Sequence, residues 1–156
     1  VRKPTIPATG RPSNTGYNVN LQPEDVTYIN AHGTGTLQND AAEIAGISRA
    51  FEGCLDQVQV SATKSMIGHL VKAAGCVELA ITILGLRDGV CPPTAGLAQL
   101  EPGCPFDCVP GTGQSNRYQH ALKLSLAFGG HLVAVTISRW NEPGSSFGYP
   151  SIRRVA

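Results

Sequence analysis

The chain runs twice through one order: a short run rich in β-branched residues, a loop of small residues holding a histidine, and a stretch of helical spacing. The first run is Val26-Thr27-Tyr28-Ile29-Asn30-Ala31, and it leads into His32-Gly33-Thr34-Gly35-Thr36. The second is Val58-Gln59-Val60-Ser61-Ala62-Thr63, leading into Lys64-Ser65-Met66-Ile67-Gly68-His69. Such residues suit a pleated, half-buried surface, so both runs are expected as strands. Strand and helix in alternation call for parallel strands joined by right-handed crossovers, an α/β arrangement. Both loops then leave the same edge of one sheet, at the carboxyl ends where open α/β sheets bind ligands.

The helices read from periodicity and punctuation. One is expected from Asp40, with Asn39 as N-cap, apolar positions at Ala41, Ala42, Ile44, Ala45, Ile47 and Phe51, and Gly53 at its end. A second is expected from Leu70 to Arg87, closing at Asp88-Gly89. It is apolar nearly all round, which predicts a helix covered on every side. Lys72, Glu78 and Thr82 interrupt the run from Leu70 to Leu86 and make it a poor membrane span. Cys91-Pro92-Pro93 breaks the chain; a short strand is expected over Phe106 to Val109 and a polar turn region over Gly111 to Asn116. Strands from His120 to Ala127 and Leu132 to Trp140 follow, joined by Phe128-Gly129-Gly130. Residues 1–22 read as an irregular lead, 23–140 as the folded domain and 141–156 as a surface tail.

At 156 residues, 42% hydrophobic and 15% charged, the chain suits one modest domain with its own core. A net charge of +1 with no lysine and arginine cluster argues against nucleic acid or an anionic membrane as partner. The first residues lack the apolar segment of a signal peptide. Five cysteines without a CxxC pair suit a reducing compartment, hence the cytoplasm. Cys104 and Cys108 would need His120 or His131 to make a zinc site; they read as ordinary thiols, the two histidines as strand or turn residues, and no metal is expected.

Two imidazole N–H donors aimed at one carbonyl oxygen stabilise the negative charge that develops there. One histidine after a strand is more often a surface or capping group, so the pairing of His32 with His69 carries the argument. Gly33 and Gly35 allow close backbone approach, and Thr34 and Thr36 offer hydroxyls to a polar ligand arm. The glycine loop lacks the lysine and the spacing of a phosphate-binding P-loop. Glu78, a carboxylate on an apolar helix, needs a cation, and Lys64 is the candidate.

Taken in order, Asn30-Ala31-His32-Gly33-Thr34-Gly35-Thr36, Asp40, Glu43, Lys64-Ser65-Met66-Ile67-Gly68-His69, Ala73-Ala74-Gly75-Cys76-Val77-Glu78 and Phe128-Gly129-Gly130 resemble the C-terminal half of the β-ketoacyl-acyl carrier protein synthases. The resemblance covers Pro23 to Trp140. It implies the C-terminal half of a thiolase-like fold, a mixed sheet of about five strands with buried helices, here incomplete at its N-terminus. It also implies decarboxylative Claisen condensation of malonyl-carrier protein with an acyl thioester, in fatty acid or polyketide synthesis. His32 and His69 would then hydrogen-bond the malonyl thioester carbonyl, Lys64 and Glu78 would order the site, and Thr34 and Thr36 would meet the phosphopantetheine arm. Phe128, Gly129 and Gly130 would form a gating loop. The arm belongs to the acyl carrier protein, so no tightly bound cofactor is implied.

The family's nucleophilic cysteine belongs to the N-terminal half. None of Cys54, Cys76, Cys91, Cys104 and Cys108 stands in its strand-to-helix elbow, so the expected partners are the acyl carrier protein and a cysteine-bearing N-terminal half, with a dimer in the complete enzyme. The chain departs from the family pattern at Asn39, Lys72, Leu126 and Leu132. Two other readings stand beside this one: a non-catalytic scaffold, carrier-protein-binding module or truncated remnant, and a thiolase-type enzyme acting on coenzyme A esters. The Lys64 to His69 motif speaks against the thiolase.

Overall fold

The computed structural model describes residues 21–139; the proposed tail and most of the lead lie outside them. The elements are β1 (Val26–Asn30), α1 (Leu37–Ala50), β2 (Gln59–Ser61), α2 (Lys64–Ile67), α3 (Ala74–Asp88), β3 (Val90–Cys91), β4 (Gln114–Ser115), β5 (His120–Ala127) and β6 (His131–Ser138). The main sheet has four strands in the order β2-β1-β5-β6, and β3 with β4 forms a separate antiparallel ladder.

β1 is the axis of the sheet. It pairs parallel with β2 on one side, Ile29 opposite Val60, and parallel with β5 on the other, Ile29 opposite Leu122. β5 and β6 form an antiparallel hairpin from His120↔Ser138 to Ala127↔His131. Val26, Tyr28, Ile29 and Asn30 are all buried, as expected of a parallel strand covered on both faces.

The faces divide by alternation. Ile29, Val60 and Leu122 pack with Ile47 of α1, with Phe51 just past its end and with Phe106, while Tyr28 and Ala121 pack with Leu86 of α3, Cys91, Val109 and Tyr118. The helices therefore lie on opposite faces. Burying each large apolar side chain in these clusters contributes roughly 1.5–3 kcal/mol. Asn30 and Lys123, each two residues beyond Tyr28 and Ala121, fall on the α3 face by the same alternation.

Several expectations need correction. α1 starts at Leu37, not near Asp40, because the Asp40 N–H already donates to the Thr36 carbonyl at 2.9 Å; Asn39 lies inside the helix, its amide donating to Asp40 and Glu43. The helix ends at Ala50, and Gly53 sits in the turn beyond it at φ +96°. A 3₁₀ turn, Val71–Ala73, precedes α3, which does end on left-handed Gly89. The strand expected over Phe106 to Val109 is reduced to a bridge at Asp107, bounded by Pro105, Pro110 and a left-handed Val109. The region read as a polar turn contains β4.

Among the described residues α3 is not covered on all sides. Val77, Ile83 and Leu84 are exposed along its outer face, and at the hairpin tip so are Phe128, Leu132 and Val133. The described residues supply one main sheet, whose α3 face receives only one stripe of the helix. Among them no helix is long and apolar enough to cross a membrane.

Candidate active site

Because β1 and β2 are parallel neighbours, the loops after them leave the sheet side by side. This brings His32 and His69 together: their ring centroids are 5.7 Å apart and the planes nearly perpendicular at 87°. His32 is buried and His69 is exposed.

The backbone of the first loop is held by Glu43 of α1. Its carboxylate accepts the N–H of His32 at 2.6 Å and that of Gly33 at 2.9 Å. A buried carboxylate thus finds backbone donors rather than a cation. Gly33, at φ +45°, passes so close to Ala62 that an added Cβ would stand 2.5 Å from the Ala62 Cβ. Glycine is needed here on both counts.

The ring is held by Lys64, which the turn after β2 carries inward. Its ammonium reaches Glu78 Oε1 at 2.6 Å, the His32 carbonyl oxygen at 2.6 Å and His32 Nδ1 at 3.2 Å. An ammonium has hydrogens and no lone pair, so Nδ1 is the acceptor and the proton of the neutral ring resides on Nε2. His69 is set the same way, since its Nδ1 accepts the Val71 N–H at 3.1 Å. Val71 is left-handed at φ +49°, a strained setting for a β-branched residue. Both rings therefore keep an Nε2–H as donor.

Burial, then the positive charges of Lys64 and Lys123, hold His32 well below the ordinary histidine value, at about 4. It is neutral near pH 7. Glu78, buried on α3, meets a second lysine on its other oxygen: Lys123 of β5 lies 2.6 Å from Oε2. Asn30 fixes the helix behind it, donating to Thr82 Oγ1 at 2.9 Å and to the Glu78 carbonyl at 3.2 Å, while Thr63 donates to Asn30.

His32, His69, Lys64 and Glu78 are thus brought together as the sequence anticipates, ion pair included. Thr34 and Thr36 lie on the same loop, their hydroxyls 2.8 Å from each other. Thr34 and His69 border a cavity of about 400 Å³ that extends past Ile44 and Leu97 to Cys104 and Cys108. Phe128, Gly129 and Gly130 stand at the hairpin tip, Phe128 fully exposed, outside the buried cluster. Glu43 and Lys123 carry roles that the sequence reading did not assign. A lysine amid the apolar residues of β5 was the available signal for the second. Among the described residues no three His, Cys, Asp or Glu side chains could hold a metal ion.

The family model described as "Beta-ketoacyl synthase, C-terminal domain" matches residues 14–98. The chain belongs to the β-ketoacyl synthase family. It is 44% identical over 115 residues to 3-oxoacyl-[acyl-carrier-protein] synthase 2 of Mycobacterium leprae, covering 74% of this chain and 27% of that protein. It is 41% identical over 122 residues to the tetracenomycin polyketide synthase ketoacyl synthase alpha subunit of Streptomyces glaucescens, covering 78% and 29%. Among solved structures, the ishigamide ketosynthase/chain length factor superposes with a TM-score of 0.74 at 30% identity, over 78% of this chain and 30% of that one. A type II polyketide synthase acyl-carrier protein in complex with its ketosynthase bound to the hexaketide gives 0.72 at 33% identity, over 76% and 29%. The fold is the C-terminal half of the thiolase-like ketosynthase fold. The chain spans less than a third of the length of the curated synthases it matches.

Proposed function

We propose that this chain supplies the malonyl-handling half of a β-ketoacyl synthase and works in the cytoplasm with a cysteine-bearing N-terminal half and an acyl carrier protein. The observation that carries the reading is the Lys64 ammonium held between Glu78 and His32 Nδ1, which leaves the His32 Nε2–H as a donor beside the His69 ring.

In this reading the phosphopantetheine arm of malonyl-carrier protein lies along Thr34 and Thr36, and the malonyl thioester carbonyl accepts from Nε2 of His32 and His69. The bond between the malonyl α-carbon and its carboxylate breaks, CO₂ leaves, and the electron pair forms an enolate whose oxygen the two donors stabilise. The enolate carbon then attacks the acyl group on the partner half's cysteine. A carbon–carbon bond forms and the cysteine thiolate departs. His32 stays neutral throughout, because a donor already facing the oxygen needs no extra proton. Phe128, followed by Gly129 and Gly130, gates approach to the acylated cysteine.

The test is reconstitution with a cysteine-bearing half and measurement of CO₂ release from malonyl-carrier protein. Release well above that of the partner alone is expected. A stable complex with no gain would sink the proposal in favour of a scaffold or carrier-binding module.

A further inference from the structure

We propose that Lys123 is a positioning residue for His32: acting across Glu78, it holds the end of β1 in place and keeps the imidazole neutral. Lys123 is almost fully buried on β5, and its Nζ meets three acceptors, Glu78 Oε2 at 2.6 Å, the Ala31 carbonyl oxygen at 3.2 Å and the Leu124 carbonyl oxygen. Three acceptors match the three hydrogens of an ammonium; a neutral amine would have to turn its lone pair toward an oxygen. Lys64 is matched in the same way by Glu78 Oε1, the His32 carbonyl and His32 Nδ1.

The two lysines therefore clamp consecutive carbonyls, of Ala31 and His32, and Glu78 joins them through its two oxygens. Two cations against one carboxylate leave the triad with a net positive charge. A proton arriving on His32 would bring a further cation beside it and would set an Nδ1–H against the Lys64 ammonium. The groups facing His32 are Lys64 from α2, Glu78 from α3, Lys123 from β5, His69 from the loop after α2, and Glu43 of α1 at its backbone. Of these, Glu78 and Glu43 are the anions, and both are engaged by buried donors. Burial pulls the Lys123 ammonium below its ordinary value, and the bond and charge of Glu78 oppose that.

The titration half of this proposal stands apart from the condensing reading; only its kinetic consequence rests on it. The test is the His32 ring titration, followed by NMR on the full 156-residue chain in the parent protein and in Lys123→Gln and Lys123→Arg. Glutamine keeps a donor toward Glu78 and removes the charge, so the His32 midpoint should rise by about one pH unit at protein-like dielectric. Arginine keeps the charge and should leave the midpoint within a few tenths of a unit. A folded glutamine variant with an unmoved midpoint would overturn the proposal, and so would an arginine variant that shifts as far as glutamine. Should the glutamine variant fail to fold, the parent decides: an ammonium at Lys123 at pH 7 with His32 titrating below pH 5 upholds the assignment, and a neutral Lys123 overturns it. In the reconstituted synthase the acid limb of CO₂ release should move upward with Lys123→Gln. Absence of release from the parent would count against the condensing reading and leave the titration result standing.

Discussion

The Lys64 ammonium lies 2.6 Å from the His32 carbonyl oxygen and 3.2 Å from His32 Nδ1, so one side chain holds both the backbone and the ring of the same residue. Rotation of the imidazole and movement of its loop are thereby tied together. A change at Lys64 should disturb orientation and tautomer at once, and Lys64→Ala in the reconstituted synthase should lower kcat with little change in KM.

Removing either imidazole should cost about 10²- to 10³-fold in CO₂ release from malonyl-carrier protein, the usual loss for one donor to a developing oxyanion. His32→Ala and His69→Ala differ in their other effects. His69 is exposed, so its loss should leave the unfolding midpoint nearly unchanged, while loss of buried His32 should lower it. Stopped assays of CO₂ release beside urea titrations would separate the two.

Glu78→Gln should destabilise the chain strongly. It removes the carboxylate between two buried ammonium groups, and breaking a buried pair from one side costs about 3–5 kcal/mol. Urea unfolding followed by circular dichroism would show the midpoint collapse, and a midpoint within experimental scatter of the parent would refute the account of the triad.

Acid should weaken the fold through His32. Its pKa is depressed in the folded chain, from an ordinary 6.5 to about 4, so between these values the unfolded chain binds more protons than the folded one. The stabilising contribution is fully present above pH 6.5 and is lost as pH falls toward 4, by roughly 2–3 kcal/mol in all. Urea midpoints measured from pH 7.5 to 4 should fall through this window, and His32→Gln should flatten the slope.

Gly33→Ala should cost about 1–3 kcal/mol, because the new Cβ meets Ala62 while the backbone is left-handed. Gly35, also left-handed but with open space around it, should show the backbone cost alone when changed to alanine. The difference between the two urea midpoints measures the steric share.

The outer face of α3 offers a different kind of test. Leu84→Lys lies on exposed surface, so it should change the stability of the chain by no more than about 0.5 kcal/mol.

Much of this was legible in the residues. The β1 and β2 runs, the Gly89 stop and the β5–β6 hairpin follow from local chemistry, which tertiary packing left intact. Lys64 and Glu78 could be paired because a lone carboxylate on an apolar helix must find a cation. Lys123 escaped notice because its role depends on β5 lying beside β1, a long-range pairing that no local pattern encodes. Glu43 escaped for a related reason: its partners are backbone N–H groups, which are present at nearly every residue. The start of α1 leaves no local signal, because the carbonyl of Thr36, rather than a side chain, opens its hydrogen bonding. β3 and β4 are two residues each, too short to leave a periodic trace. α3 is apolar nearly all round, which predicts full cover, but within the described residues only one side of it is covered.

Ala31 and Lys123 are 92 positions apart, whereas Lys64 and Glu78 belong to adjoining segments. On a chain emerging from the ribosome, the first lysine can find its carboxylate early, while the second arrives only with the β5–β6 hairpin. Contacts across so long a loop close late, since the entropy of bringing the ends together must be met first. Until then Glu78 has one cation and the Ala31 carbonyl lacks its lysine donor. The final geometry around His32 is therefore a report that the sheet has closed, and a nascent chain acquires its organised histidine pair only once β5 has been made and has paired with β1.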